Sequence, residues 1–202
     1  MKSYRKFISE KYVKRVAEYK DSLKTAVFTF GRMNPPTVGH SKLIKKVMVV
    51  AKKEKGTPMI FPSKTEDNKK NPLSFNTKVA VLKDVFGNII NTNASIKTPF
   101  DVLEDLNKDY ERVIFVVGSD RVKEFQRNMS NYIEKDLENI KDFQVVSAGD
   151  RDPDAEGVTG MSGSKMREFV VKDQLSKFKK GLMTNNTKLA KAVFKEIGKK
   201  LK

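Results

Sequence analysis

Cysteine and tryptophan are absent from this chain, and histidine occurs once, at position 40. The missing cysteine excludes disulfides and thiolate metal sites. A chain without disulfides fits a reducing compartment, so a cytoplasmic location is expected. Long apolar runs are missing too. The run from Val113 to Val117 falls far short of the ~20 residues that cross a bilayer, and no membrane partner is expected. Met1-Lys2-Ser3-Tyr4-Arg5 leads into no apolar segment, so no signal peptide is expected either.

What is present is basic. Lys and Arg number 41 against 25 Asp and Glu, a net charge of +16. Such a balance favours polyanions: nucleic acid, anionic membrane or phosphorylated small molecules. The lysines are spread along the chain and no RRM, KH or zinc-finger pattern accompanies them. A solvated, lysine-rich surface accounts for the charge equally well, so it supports a functional reading without carrying one. The Lys- and Asn-rich composition also fits an AT-rich coding sequence. At 202 residues and 38% hydrophobic content, the chain is long enough for one well-buried domain.

Periodicity divides it into three segments. Residues 1–24 read as an amphipathic helix, with Ile8, Tyr12, Val16, Tyr19 and Leu23 at helical spacing. Residues 25–171 alternate short apolar strands (26–30, 59–61, 94–97, 112–117 and 143–147) with helices (38–53, 74–86, 99–107 and 162–171). Residues 63–72 between them read as a flexible polar loop. Residues 172–202 form a basic tail, helical from Asn185, whose Leu189, Val193, Ile197 and Leu201 stripe points to packing or to homo-oligomer contact. The alternation implies an α/β fold, a parallel sheet of about five strands flanked by helices, with N- and C-terminal helices added. Ligands of such sheets bind at the carboxyl ends of the strands.

Three strand-to-helix junctions therefore carry the search. The first runs Phe28-Thr29-Phe30-Gly31-Arg32-Met33-Asn34-Pro35-Pro36-Thr37-Val38-Gly39-His40. A helix begins near Thr37, its unpaired amides attract phosphate, and Gly39 lets a ligand approach the backbone. His40 lies in the first turn, where it can neutralise charge developing on a phosphate. Lys42 either reaches a triphosphate or lies on a solvated face. Asn34-Pro35-Pro36 reads equally as a rigid turn or as the shaper of a phosphate loop. The last junction, Gly160-Met161-Ser162-Gly163-Ser164-Lys165-Met166-Arg167, is a second helix start. Its hydroxyls serve as caps, as phosphate ligands or as both, and the planar fork of Arg167 binds phosphate oxygens in pairs. The middle junction is Gly118-Ser119-Asp120, in which Asp120 reads equally as a helix cap or a ligand.

Thr37-Val38-Gly39-His40 resembles the HxGH signature of the nucleotidylyltransferase superfamily, in its Thr-initiated form. Met161-Ser162-Gly163-Ser164 with Arg167 resembles that family's second signature, with Met for Ile. The two stand about 120 residues apart, and their order and spacing weigh more than either alone. Val117-Gly118-Ser119-Asp120 is similar to a Gly-x-Asp segment that relatives place near the ribose. Asn71-Pro72-Leu73-Ser74-Phe75 precedes a helix as in several adenylyltransferases, with Lys78 where they often carry Arg.

The resemblance covers roughly residues 25–170 and implies a Rossmann-like sheet. It implies transfer of a nucleoside monophosphate from a triphosphate to a phosphorylated acceptor, with loss of pyrophosphate. Thr37, His40 and Arg167 are then the expected catalytic residues. Phe30, Gly31, Arg32, Gly39, Lys42, Gly118, Asp120, Met161, Ser162, Gly163 and Ser164 are the expected nucleotide contacts. Mg²⁺ is expected to travel on the phosphates, because it dehydrates reluctantly. The second signature looks more like adenylyl- than cytidylyl-transferring relatives, which makes ATP the preferred donor. Nicotinamide mononucleotide is one conceivable acceptor, although the Trp that some relatives use for the pyridine ring is absent. Two other readings remain: a cytidylyltransferase, and a non-catalytic nucleotide-fold protein that binds nucleic acid or an assembly through its basic surface.

Overall fold

A computed structural model describes residues 2–149 and 161–201. Four strands, β1 (Thr25–Gly31), β2 (Thr57–Pro62), β3 (Arg112–Val117) and β4 (Asp142–Ser147), form one sheet in the order β2-β1-β3-β4. Every pairing is parallel. The connections run through α2 (Val38–Lys53), α3 (Phe75–Phe86), α4 (Pro99–Leu106) and α5 (Val122–Asp136). The fold is Rossmann-like, with helices on both faces of the sheet.

β3 is buried at every position and β1 at its first five. Strands covered on both faces read as continuous apolar runs, which is why these two stand out in the sequence. Alternate residues then feed two cores. Val27, Ile60, Ile114 and Val116 pack with Ile44 and Val47 of α2 and Leu82 of α3. Ala26, Phe28, Val113 and Phe115 pack with Val102 and Leu103 of α4 and Met129 of α5. Phe28 stacks on Phe115 at 4.4 Å between ring centres.

Among the described residues the sheet has four strands rather than about five. Residues 94–97, expected to be a strand, contain a turn instead. Asn91 and Asn93 accept hydrogen bonds from the backbone N–H groups of Asn93 and Ser95. Such local side-chain bonds compete with a ladder. Just upstream, Ile90 makes an isolated parallel bridge to Ile60 of β2.

The terminal helices behave differently from each other. α1 (Lys2–Ser22) is helical as expected, but its stripe faces solvent: Tyr12 is 69% and Tyr19 55% exposed. Of the described side chains of the stripe, Leu23 alone, just beyond the helix, is buried, beside ion pairs Lys20–Asp142 and Lys55–Asp21. At the other end, α6 (Gly163–Val171), α7 (Leu175–Gly181) and α8 (Thr187–Leu201) pack together. Ala190, Val193 and Ile197 join the first core, and Phe194 meets Phe178 edge-on. No helix among the described residues is long and apolar enough to cross a membrane.

Strand order reverses between β1 and β3, so a crevice opens beyond their carboxyl ends. Gly31 and Gly118, at two of the sequence-selected junctions, follow from that topology.

Candidate nucleotide site

β1 leaves the sheet at Gly31, whose carbonyl accepts the Ser63 N–H at 2.8 Å and so ties the exits of β1 and β2 together. Phe30 and Gly31 are half-buried and Arg32 is exposed. Asn34 is buried, with only 4% of its surface exposed. Its Nδ2 donates to Leu73 O and its Oδ1 accepts from Leu73 N–H, both at 2.9 Å. The amide thus acts as a short piece of strand for a distant loop. Asn34→Ala strands a buried N–H and a buried carbonyl, and is expected to lower stability by about 2 kcal/mol, read as a reduced urea midpoint with unchanged slope.

Thr37 caps α2 in an extended conformation, and His40 at the third helical position folds back on it. The Thr37 N–H donates to His40 Nδ1 at 3.0 Å. A backbone N–H can only donate, so Nδ1 accepts and the ring proton sits on Nε2. The Thr37 hydroxyl lies 2.8 Å from both His40 Nδ1 and Met161 O, one proton shared between two acceptors. Gly39 is half-buried in the same turn.

The second helix start lies against the first. Ser162 caps α6, its Oγ accepting the Lys165 N–H at 3.2 Å. Arg167 Nη1 donates to Asn34 O at 2.8 Å and Nη2 donates to Ser164 Oγ at 3.0 Å. A Cβ on Gly163 would stand 2.9 Å from Asn34 O, so only glycine permits this approach. Burial pushes the Arg167 guanidinium down from its ordinary value; Asp67 opposes that shift and nearby Arg32 reinforces it. The loop is further pinned by an antiparallel bridge between Thr37 and Leu182 and by the Met183 N–H donating to Pro36 O. Gly160 lies outside the described residues.

The third junction is more open. Asp120 is exposed in a 3-10 turn, Ser119–Arg121, and the N-cap position of α5 falls to Arg121, whose side chain makes no capping bond. The helix-cap reading of Asp120 is thereby corrected. Its carboxylate folds back until a Cβ on Gly118 would be 2.6 Å away. Lys42 extends from α2 towards Gly149, at the exit of β4, whose carbonyl accepts the Ser119 N–H. The structure therefore brings Thr37, His40, Met161, Ser162, Gly163, Ser164 and Arg167 into one bonded unit, and sets Lys42, Gly118 and Asp120 towards the β3–β4 exits.

The profile of the cytidylyltransferase-like family matches residues 28–169, both helix starts included. The chain belongs to this family. It is a member of the HxGH nucleotidylyltransferase superfamily and, by that membership, a nucleotidyltransferase. Among curated proteins no sequence matches it. Solved structures resemble its fold, these two among them. One is a Vibrio parahaemolyticus protein described as a nicotinate-nucleotide adenylyltransferase: 14% identity, TM-score 0.53, covering 83% of this chain and 98% of that one. The other is the nicotinic acid mononucleotide adenylyltransferase of Plasmodium falciparum complexed with APC: 14% identity, TM-score 0.53, covering 84% and 95%. At that identity the likeness concerns the fold.

In this nucleotidyltransferase the segment after β2 departs from the flexible loop expected of it. Asp67 accepts the N–H groups of Lys69, Lys70 and Asn71 and the Asn71 side-chain amide. These bonds hold its carboxyl well below the usual range. Glu66 accepts the Phe75 N–H, while Glu196 of α8 accepts the Ser74 N–H and the Thr77 hydroxyl. Lys78, compared above with an arginine of relatives, is wholly buried and donates to Ser63 O at 2.5 Å. It lies beneath the loop rather than in the open crevice. The Asp-x-x-x-Asn spacing was the one local signal of this order; the partners on α8 lie more than 100 residues away.

Proposed function

We propose that this chain transfers AMP from ATP to a phosphorylated small-molecule acceptor and releases pyrophosphate. One observation carries the reading: two helix N-termini, of α2 and α6, are locked side by side by Thr37 to Met161 and Arg167 to Asn34. Each start presents amides that favour phosphate, and a triphosphate laid across both meets two such sets.

In this reading Ser162, Ser164 and Arg167 hold the departing phosphates. Thr37 orients His40 so that Nε2–H donates to a phosphate oxygen as charge grows on it. The acceptor attacks the α-phosphorus in line, and positioning with charge stabilisation supplies the rate. No covalent enzyme intermediate is required. Among the described residues no group of three or more His, Asp or Glu could hold a metal ion, and the helix starts are flanked by Arg32 and Arg167. That donor set fits Mg²⁺ carried in on the triphosphate, where it neutralises phosphate charge. Gly118, Asp120 and Lys42 lie where the nucleoside or its ribose would extend.

The adenylyl choice draws support from the second signature and from the adenylyltransferase fold neighbours, which also make pyridine mononucleotides the first acceptors to screen. Cytidylyl transfer is the competing reading, favoured by the description of the matched family. A thermal-shift panel of ATP, CTP, GTP and UTP with Mg²⁺ separates them. ATP at one hundred times its Kd is expected to add about 2.7 kcal/mol of stability. Arg167→Ala is expected to weaken that binding by about tenfold to a hundredfold, the worth of a charge-assisted phosphate contact. A shift with CTP alone transfers the proposal to cytidylyl chemistry, and an Arg167→Ala protein with wild-type ATP affinity removes Arg167 from the site.

A further inference from the structure

The positive charge is unevenly placed. Residues 172–202 hold ten of the 41 basic residues and two of the 25 acidic ones, a net +8 within the chain's +16. One helix concentrates it further. Lys188, Lys191, Lys195 and Lys199 are all exposed on α8, opposite the buried Ala190, Val193 and Ile197. Their three- and four-residue spacing puts them in a single row, about 16 Å long at 1.5 Å per residue.

Among the described residues no acidic side chain balances the row. The only acidic side chain of α8, Glu196, is turned away onto Ser74 and Thr77. Lys200 is turned to Glu66. Among the described residues none of the four lysines forms an ion pair. Elsewhere lysines on a helix or just past its end find partners at the same spacing: Lys14 of α1 with Glu18, Lys108 beyond α4 with Asp105, and Lys172 at the end of α6 with Glu168. A row of like charges at that spacing opposes helix formation, and α8 tolerates it because its other face is held by the core.

We propose that the outer face of α8 docks the phosphate backbone of a nucleic acid. Charge complementarity selects this occupant over the alternatives. An interfacial membrane helix needs an apolar face to insert, and that of α8 is already spent inside the protein. A protein partner would need buried aromatic or aliphatic anchors, and the row offers only ammonium groups. A row of about 16 Å matches the rise of about five phosphates along one strand. Such contacts position without reading sequence, so binding is sequence-independent and steeply salt-dependent. The same helix braces the loop after β2 through Glu196, and the α7–α8 connection touches Pro36 and Thr37, so the helix that carries the docking row is tied by its other side to the scaffold of the nucleotide site.

The test is fluorescence anisotropy with a labelled 20-mer DNA duplex and its single strand, titrated across a NaCl series. The full-length protein is compared with a variant combining Lys188→Gln, Lys191→Gln, Lys195→Gln and Lys199→Gln. A control combines Lys45→Gln, Lys52→Gln, Lys83→Gln and Lys97→Gln, four exposed lysines elsewhere. The α8 variant is expected to lose about three to four units of the log–log salt slope on duplex and about a hundredfold in affinity at low salt. The control is expected to keep most of both. Melting temperatures verify folding, and the α8 variant is expected to melt no lower than wild type. An equal loss in both variants reduces the effect to net charge and overturns the docking face. So does an absence of binding by the wild type, or binding to phosphatidylserine vesicles but to neither nucleic acid.

Discussion

His40→Ala is expected to lower turnover by roughly 10²–10³, or about 3–4 kcal/mol, the loss associated with one preorganised donor to a developing oxyanion. The size follows from how the ring is held. The Thr37 N–H occupies Nδ1, so the ring is oriented and Nε2 carries the donor proton. The same substitution removes half of the α2 capping box, a structural cost of about 1 kcal/mol. Two readouts keep these apart. Loss of a transition-state contact lowers kcat and kcat/KM together while ATP affinity stays near wild type. Loss of the cap lowers the melting temperature and loosens nucleotide binding as well. A His40→Ala enzyme with near wild-type kcat would leave Thr37, Ser164 and Arg167 to carry the chemistry and end the proposed role of the imidazole.

Much of this site could be read before the fold was known, because each signature is local. Thr37 and Ser162 announce helix starts after apolar strands, and Ser74 does the same for α3. β1 and β3 declare themselves by being apolar on both faces. What periodicity does not encode is who meets whom. Arg167 and Asn34 are 133 positions apart, and the need for Gly163 appears only once the Asn34 carbonyl is seen beside it. The stripe of Tyr12, Val16 and Tyr19 is real, yet a period says nothing about whether anything covers it. The fifth strand failed for a nearer reason: the asparagines at 91 and 93 satisfy the backbone locally. α7 is too short to show a period, and its closing Gly181 is explained by the Met166 sulfur, which a Cβ there would meet at 2.4 Å. The segment after β2 looks disordered by composition, but its acidic residues are consumed in holding it while its lysines remain outside.

Lys78 provides the second large effect, and it is one of pH. Burial pushes its ammonium down from the ordinary 10.5 to about 8, against a partial opposing pull from Glu66. Below pH 8 the folded and unfolded chains both bind the proton, and the full cost of burying the charge is present. Between 8 and 10.5 the unfolded chain still holds the proton and the folded chain has released it, so stability rises with pH, by about 1.4 kcal/mol per unit. Across the whole window the gain is about 3 kcal/mol. Lys78→Met keeps the length and removes the titration. It also leaves Ser63 O without its donor, a cost that does not vary with pH. Urea unfolding of both proteins at matched pH therefore isolates the lysine, since every other group contributes equally to each. The stability of wild type relative to Lys78→Met is expected to climb by about 3 kcal/mol from neutrality to pH 10.5. A difference that stays flat across that window would mean that the ammonium reaches water, and that the floor of the loop after β2 is not the closed one described.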